Sequence, residues 1–146
     1  MSTPYESAQL ILKIFELRRD PLLRDARDWF LRDFHPESAD DVVAVLSGDE
    51  NAKLRMVVGY WDMAASFVTH DALDRQMFLD ANPEMIPTFA KVQPFLGELR
   101  ERFDSPDFLR HIEGVVMSLP GAEERLEGFR QRLKSLAKPS RGSAGY

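Results

Sequence analysis

Residues Asn51 to His70 constrain the fold more than any other stretch of this chain. At about 100° per residue, Leu54, Met56, Val57, Val58, Tyr60, Trp61, Met63, Ala64, Ala65, Phe67 and Val68 cover roughly 220° of a helix circumference. Arg55, Gly59, Asp62, Ser66, Thr69 and His70 make up the narrower polar stripe. A helix at the surface of a globule needs an apolar arc of little more than ~100°. One this apolar has to be covered from several directions, by neighbouring helices or by a second subunit. It is the mast of a helical bundle.

The rest of the chain supplies the neighbours. Thr3-Pro4, Asp20-Pro21, Asn82-Pro83 and Ser105-Pro106 each place a short polar side chain before a proline. The side chain accepts from the free amides of a first helical turn, and proline fits the first helical position because its missing N–H has no role there. All four read as helix starts, and Thr3 with Glu6 adds a capping box. Helices are expected over Pro4 to Arg18, Pro21 to Phe34, Ala39 to Leu46, Asn51 to His70, Ala72 to Asp80, Pro83 to Phe103, Ser105 to Leu119 and Ala122 to Ala137. Pro87 and Pro94 fall inside the sixth and predict a late start or a kink, since an internal proline removes a bond and clashes with the preceding turn. No run alternates apolar and polar residues as a half-buried strand does. The expected fold is a single all-α domain of six to eight helices over residues 1–138, followed by a flexible tail over 139–146 rich in Pro, Ser and Gly.

Composition narrows the function classes. With 146 residues the chain can bury a core without staples, and it has no cysteine, which removes disulfides, thiolate metal ligands and cysteine nucleophiles. No window has the length and apolarity of a spanning helix, and the first residues lack a secretory pattern, so cytoplasmic residence without an integral membrane segment is expected. The net charge of −5 argues against nucleic acid as a partner. That charge is uneven: from Ala122 onward Arg125, Arg130, Arg132, Lys134, Lys138 and Arg141 outnumber three glutamates. Cations near a helix C-terminus complement its dipole, and the same cluster offers an anionic surface a place to bind.

Two constellations carry possible chemistry. Arg55, Asp62 and Ser66 sit roughly one above another on the mast. If a neighbour roofs them they line a polar pocket; if water does, they are the solvent side. His70 with Asp74, and Asp107 with His111, are pairs four residues apart, the spacing that shares one helix face. Brought together, they would supply two imidazoles and two carboxylates to a metal. Surface acid–imidazole pairing accounts for the same letters, and neither His-Glu-x-x-His nor the Glu-x-x-His of di-metal bundles occurs. Gly-x-Ser-x-Gly and phosphate-cradling glycine loops are also absent from the sequence, so no cofactor is expected.

The stretch Ala52 to Arg102, with Leu54-Arg-Met-Val-Val-Gly-Tyr-Trp-Asp-Met-Ala-Ala-Ser-Phe-Val-Thr-His-Asp-Ala-Leu-Asp and then Phe89 to Arg102, resembles an uncharacterised group of bacterial helical domains. The resemblance implies a mast helix, a small polar turn, a short helix and a longer helix ending in arginine. Many proteins of that group are similar to membrane-tethered ones with spanning helices ahead of the helical part. It implies no catalytic residue.

The expected function is a non-enzymatic bacterial interaction domain, homodimeric through the surplus apolar surface of the mast and its neighbours. The alternatives are a small-ligand or metal-dependent helical enzyme using His70, Asp74, Asp107 or His111, and a peripheral binder of anionic surfaces through the basic C-terminal helix.

Overall fold

The computed structural model describes the backbone of residues 2–143 and the side chains of residues 2–135. The chain is all-α, with no strand among the described residues. Its helices are α1 (Pro4–Arg18), α2 (Pro21–Arg32), α3 (Ala39–Leu46), α4 (Asn51–Thr69), α5 (Arg75–Ala81), α6 (Met85–Val92), α7 (Leu96–Arg102), α8 (Arg110–Met117) and α9 (Ala122–Ser143). A 3-10 turn over Gln93–Phe95 joins α6 to α7. No described helix is long and apolar enough to cross a membrane.

The mast, α4, packs against α2 on one side and α8 on another, with α3 as a further neighbour; α6 bridges α8 and α9. Leu54, Val57, Trp61, Ala64, Ala65 and Val68 are buried along it. Trp61 is completely enclosed, and Phe30 of α2, Phe78 of α5 and Phe89 of α6 fill the adjoining volume. Each such side chain removed from water contributes about 1.5–3 kcal/mol. The apolar surplus that the sequence offered to a second subunit is therefore taken up within the chain, and Met63 is the one large apolar residue of α4 left exposed among the described residues.

Two of the four anticipated helix starts form as read. Thr3 and Glu6 exchange side-chain-to-amide bonds of 3.1 and 2.9 Å at α1, and the Asp20 carboxylate accepts from Leu22 N at 3.0 Å and Leu23 N at 3.1 Å at α2. The other two do not. Asn82 closes α5 instead: its amide donates to the Phe78 carbonyl and its oxygen accepts from Arg18, both at 2.9 Å. After Ser105-Pro106 the chain makes turns, and α8 begins only at Arg110. A polar residue before proline is as suitable for a turn as for a cap, because proline confines it to extended backbone in both. Pro94 falls in the 3-10 turn, where the expected interruption of the sixth helix occurs, and Pro87 is tolerated near the start of α6. At the far end α9 is continuous in backbone to Ser143, beyond the expected tail start at Pro139; residues 144–146 lie outside the described residues.

Several long polar side chains tie the helix ends together. Lys91 of α6 is buried, and its Nζ donates to the carbonyls of Phe30 (2.6 Å), Leu31 (3.1 Å) and Phe34 (2.6 Å), closing the C-terminal end of α2. Burial pushes this amine down to about 7, with Asp33 opposing the shift. Arg130 of α9 does the same for α6, donating to the Ala90 carbonyl at 2.9 Å. One member of the basic C-terminal cluster is thus a helix-closing group, while the side chains of Lys138 and Arg141 lie outside the described residues.

Candidate functional site

The polar stripe of α4 is only partly covered: Arg55, Gly59, Thr69 and His70 are exposed, and Asp62 and Ser66 are half-buried. Arg55, Gly59, Asp62 and Ser66 form one wall of an open groove of about 570 Å³, and Ser105, Asp107, Phe108, Leu109 and His111 form the other. The two sets of residues singled out in the sequence, one for a polar pocket and one for a metal, largely converge here. The groove exists because of how α8 starts. Leu109 is buried in left-handed backbone at φ 58°, a conformation that costs a non-glycine residue on the order of 1–2 kcal/mol. The strain is offset from outside the helix: Asp62 Oδ1 accepts from His111 N at 3.1 Å and Ile112 N at 3.0 Å. These are first-turn amides of α8, so a carboxylate of the mast serves as the cap that α8 does not supply itself. Arg100 fastens the connecting loop, donating to the Phe108 carbonyl and to Glu113, both at 2.9 Å.

Half of the groove's polar side chains are engaged within the chain, and those of Ser105 and Asp107 make no hydrogen bond. Arg55 Nε donates to Asn51 Oδ1 and Ser66 Oγ to the Met63 carbonyl, each at 2.5 Å. His70, at the C-terminal end of α4, lies beside His111 with ring centroids 5.6 Å apart and planes tilted by 51°, so one part of the metal set does come together. Asp74 does not join it: it stands at the start of α5, where its carboxylate accepts from Met77 N at 2.9 Å. The expectation of two helical i,i+4 pairs fails for a local reason. His70 and Asp74 are separated by the turn at Asp71 (φ 59°), and Asp107 lies in the turn before α8. Among the described residues no group of three or more His, Asp or Glu side chains is placed to hold a metal ion. His111 Nδ1 is buried without a hydrogen-bond partner, which leaves one imidazole nitrogen of the groove unused.

A second groove, of about 320 Å³, was not anticipated. It lies where α1 turns into α2 and meets the α5–α6 connection, and it is lined by Phe15, Arg18, Arg19, Arg24, Arg27, Ala81, Pro83 and Glu84. Arg27 grips Glu84 at two points, 2.9 and 2.6 Å, and reaches the Arg18 carbonyl at 3.3 Å. Arg18 lies over both the Phe15 and the Trp61 rings at 5.5 Å while donating to Asn82. The side chains of Arg19 and Arg24 are exposed and make no hydrogen bond or ion pair. The signal was present as Arg18-Arg19 and as Arg24 and Arg27 at i,i+3 on α2; whole-chain acidity obscured it, because a net charge says nothing of where cations converge.

Apolar exposure runs along α1 toward the same corner. Tyr5, Leu12 and Phe15 follow one face of α1, and Leu17 and Leu22 flank the turn into α2; Tyr5 and Leu22 are more than two-thirds exposed, at 73% and 71%.

No curated protein and no solved structure matches the chain. A family model does, over residues 5–118, from the first turn of α1 through the end of α8, which is a wider span than the resemblance read from Ala52 to Arg102. The chain belongs to the family described as a domain of unknown function, DUF4760.

Proposed function

We propose that this domain is a non-enzymatic interaction module of the bacterial cytoplasm, and that it takes an acidic protein segment on the face formed by α1 and the start of α2. The observation that carries this reading is the exposed apolar stripe of Tyr5, Leu12 and Phe15 on α1, with Leu22 exposed at the start of α2. Clustered large apolar residues on an otherwise polar surface are the usual mark of a contact site. Charge identifies the occupant. The acids of α1 are already engaged, Glu6 in the capping box and Glu16 with Lys13, whereas Arg19 and Arg24 are unpaired beside Phe15. A two-fold dimer through this face would set these arginines against their own copies, which favours an acidic partner over a second copy.

Selection of displayed random peptides on the immobilised chain tests the reading. Enriched peptides should combine acidic and apolar residues, and Leu12→Asp and Leu22→Asp should weaken their binding at least about tenfold, the scale of an interface anchor. Failure to enrich, or binding unchanged in both variants, would overturn it. A dimer in sedimentation velocity that Leu12→Asp dissociates would replace the acidic partner with a second copy.

A further inference from the structure

We propose that the groove between the α1–α2 turn and the α5–α6 connection is a binding site for a phosphomonoester dianion. This shares Arg19 and Arg24 with the docking face, which takes its charge from them, but it rests on the groove and not on the apolar stripe.

Asp20 and Pro21 start α2 immediately after Arg19 ends α1, so the last turn of one helix and the first turns of the next are held side by side. Arg18 and Arg19 come from the first, Arg24 and Arg27 from the second, and all four line one groove with a single carboxylate, Glu84. Asp20 is occupied with the amides of Leu22 and Leu23 and is not part of the lining. Like charges gathered in this way repel one another, and a bound anion relieves that repulsion.

The four guanidinium groups fall into two kinds. Arg18 and Arg27 are fixed: one lies over two aromatic rings and bonds Asn82, and the other is clamped by Glu84. They shape the groove and contribute charge without needing to be ordered. Arg19 and Arg24 have all their donors available. Two free planar forks match the paired oxygens of a phosphate, and after Glu84 is counted the surplus positive charge suits a dianion better than a single carboxylate. The groove is at the small end of ligand pockets, and Phe15, Ala81 and Pro83 give it an apolar side. It fits a phosphate on a compact organic group, as found on a small ester or on a phosphorylated side chain.

Amide NMR titration of the full chain tests the site with phenyl phosphate, inorganic phosphate and benzoate as probes, together with a short phosphoserine peptide and its unphosphorylated form. Saturable shifts should gather at Arg19, Arg24, Ala81 and Glu84, with phenyl phosphate binding more tightly than benzoate. The double variant Arg19→Ala/Arg24→Ala should bind phenyl phosphate at least about tenfold more weakly, the equivalent of one lost charge-assisted hydrogen bond, with its thermal melt unchanged because neither side chain holds the fold. The source is read from the two phosphate probes: tighter binding of the phosphoserine peptide assigns a phosphorylated protein, tighter binding of phenyl phosphate a small ester. No saturation at millimolar probe, equal binding of benzoate, or undiminished binding in the double variant would overturn the proposal. Leu12→Asp should leave this titration unchanged, so loss of the docking face and loss of the anion site register separately.

Discussion

The groove at the α4–α8 seam and the groove at the α1–α2 corner differ in which of their polar groups the fold engages. Along the seam between α4 and α8, Arg55, Asp62 and Ser66 each have a partner within the chain, and Asp62 holds the start of another helix. At the corner between α1 and α2, two arginines fasten the fold and two have nothing to bind. Asp62 on the central helix meets a neighbouring helix end that needs an acceptor and is drawn into structure, while Arg55 and Ser66 bond within their own helix. Groups at a helix turn on the periphery have no such neighbours, and their charge is left for something else. A candidate site is therefore better sought among polar side chains without partners than among polar side chains that merely line up.

Trp61 precedes Asp62 on α4, and its ring lies under Arg18 at the other groove. Trp61→Ala should be the most damaging single change, about 3–5 kcal/mol by denaturant unfolding, and a much smaller loss would show that α4 does not anchor both grooves. Asp62→Ala should cost about 2 kcal/mol, near the upper end for a lost helix cap, and should speed amide exchange at His111 and Ile112. If stability is unchanged, Asp62 is free for a ligand and the contrast between the grooves fails.

Lys91 sharpens the distinction between engaged and idle cations through pH. Its folded value of about 7 lies below its ordinary 10.5, so between those values the unfolded chain binds more protons than the folded one. Stability should then rise with pH above about 7, on the order of 2 kcal/mol by pH 9, and Lys91→Met should flatten that slope. A slope that persists in the variant would assign the titration to another group. The smallest effect is expected at the corner: Arg19→Ala and Arg24→Ala should leave Tm within error, whereas a clear drop would mean that these arginines also belong to the scaffold.

What could be read without coordinates was whatever depends on neighbours in sequence. The mast, the capping box at Thr3 and Glu6, the Asp20 cap and the bounds of α1 and α3 follow from periodicity and from contacts three or four residues apart. Asn82-Pro83 and Ser105-Pro106 looked the same locally and became turns, because their outcome was set elsewhere: Arg18 reaches Asn82 from 64 residues away, and Asp62 takes over the α8 amides across the seam, 49 and 50 residues away. The candidate chemistry divided in the same way. His70 and His111 were recognisable as imidazoles, but only packing brought their rings together, whereas the local turn at Asp71 kept Asp74 apart. The four arginines were visible as letters, and the turn between α1 and α2 made them one groove. Helix periodicity is a property of a few consecutive residues, so the sequence alone determined the all-α class and the central helix. Which polar groups remain unpaired depends on partners far along the chain, and that was decided by the tertiary structure.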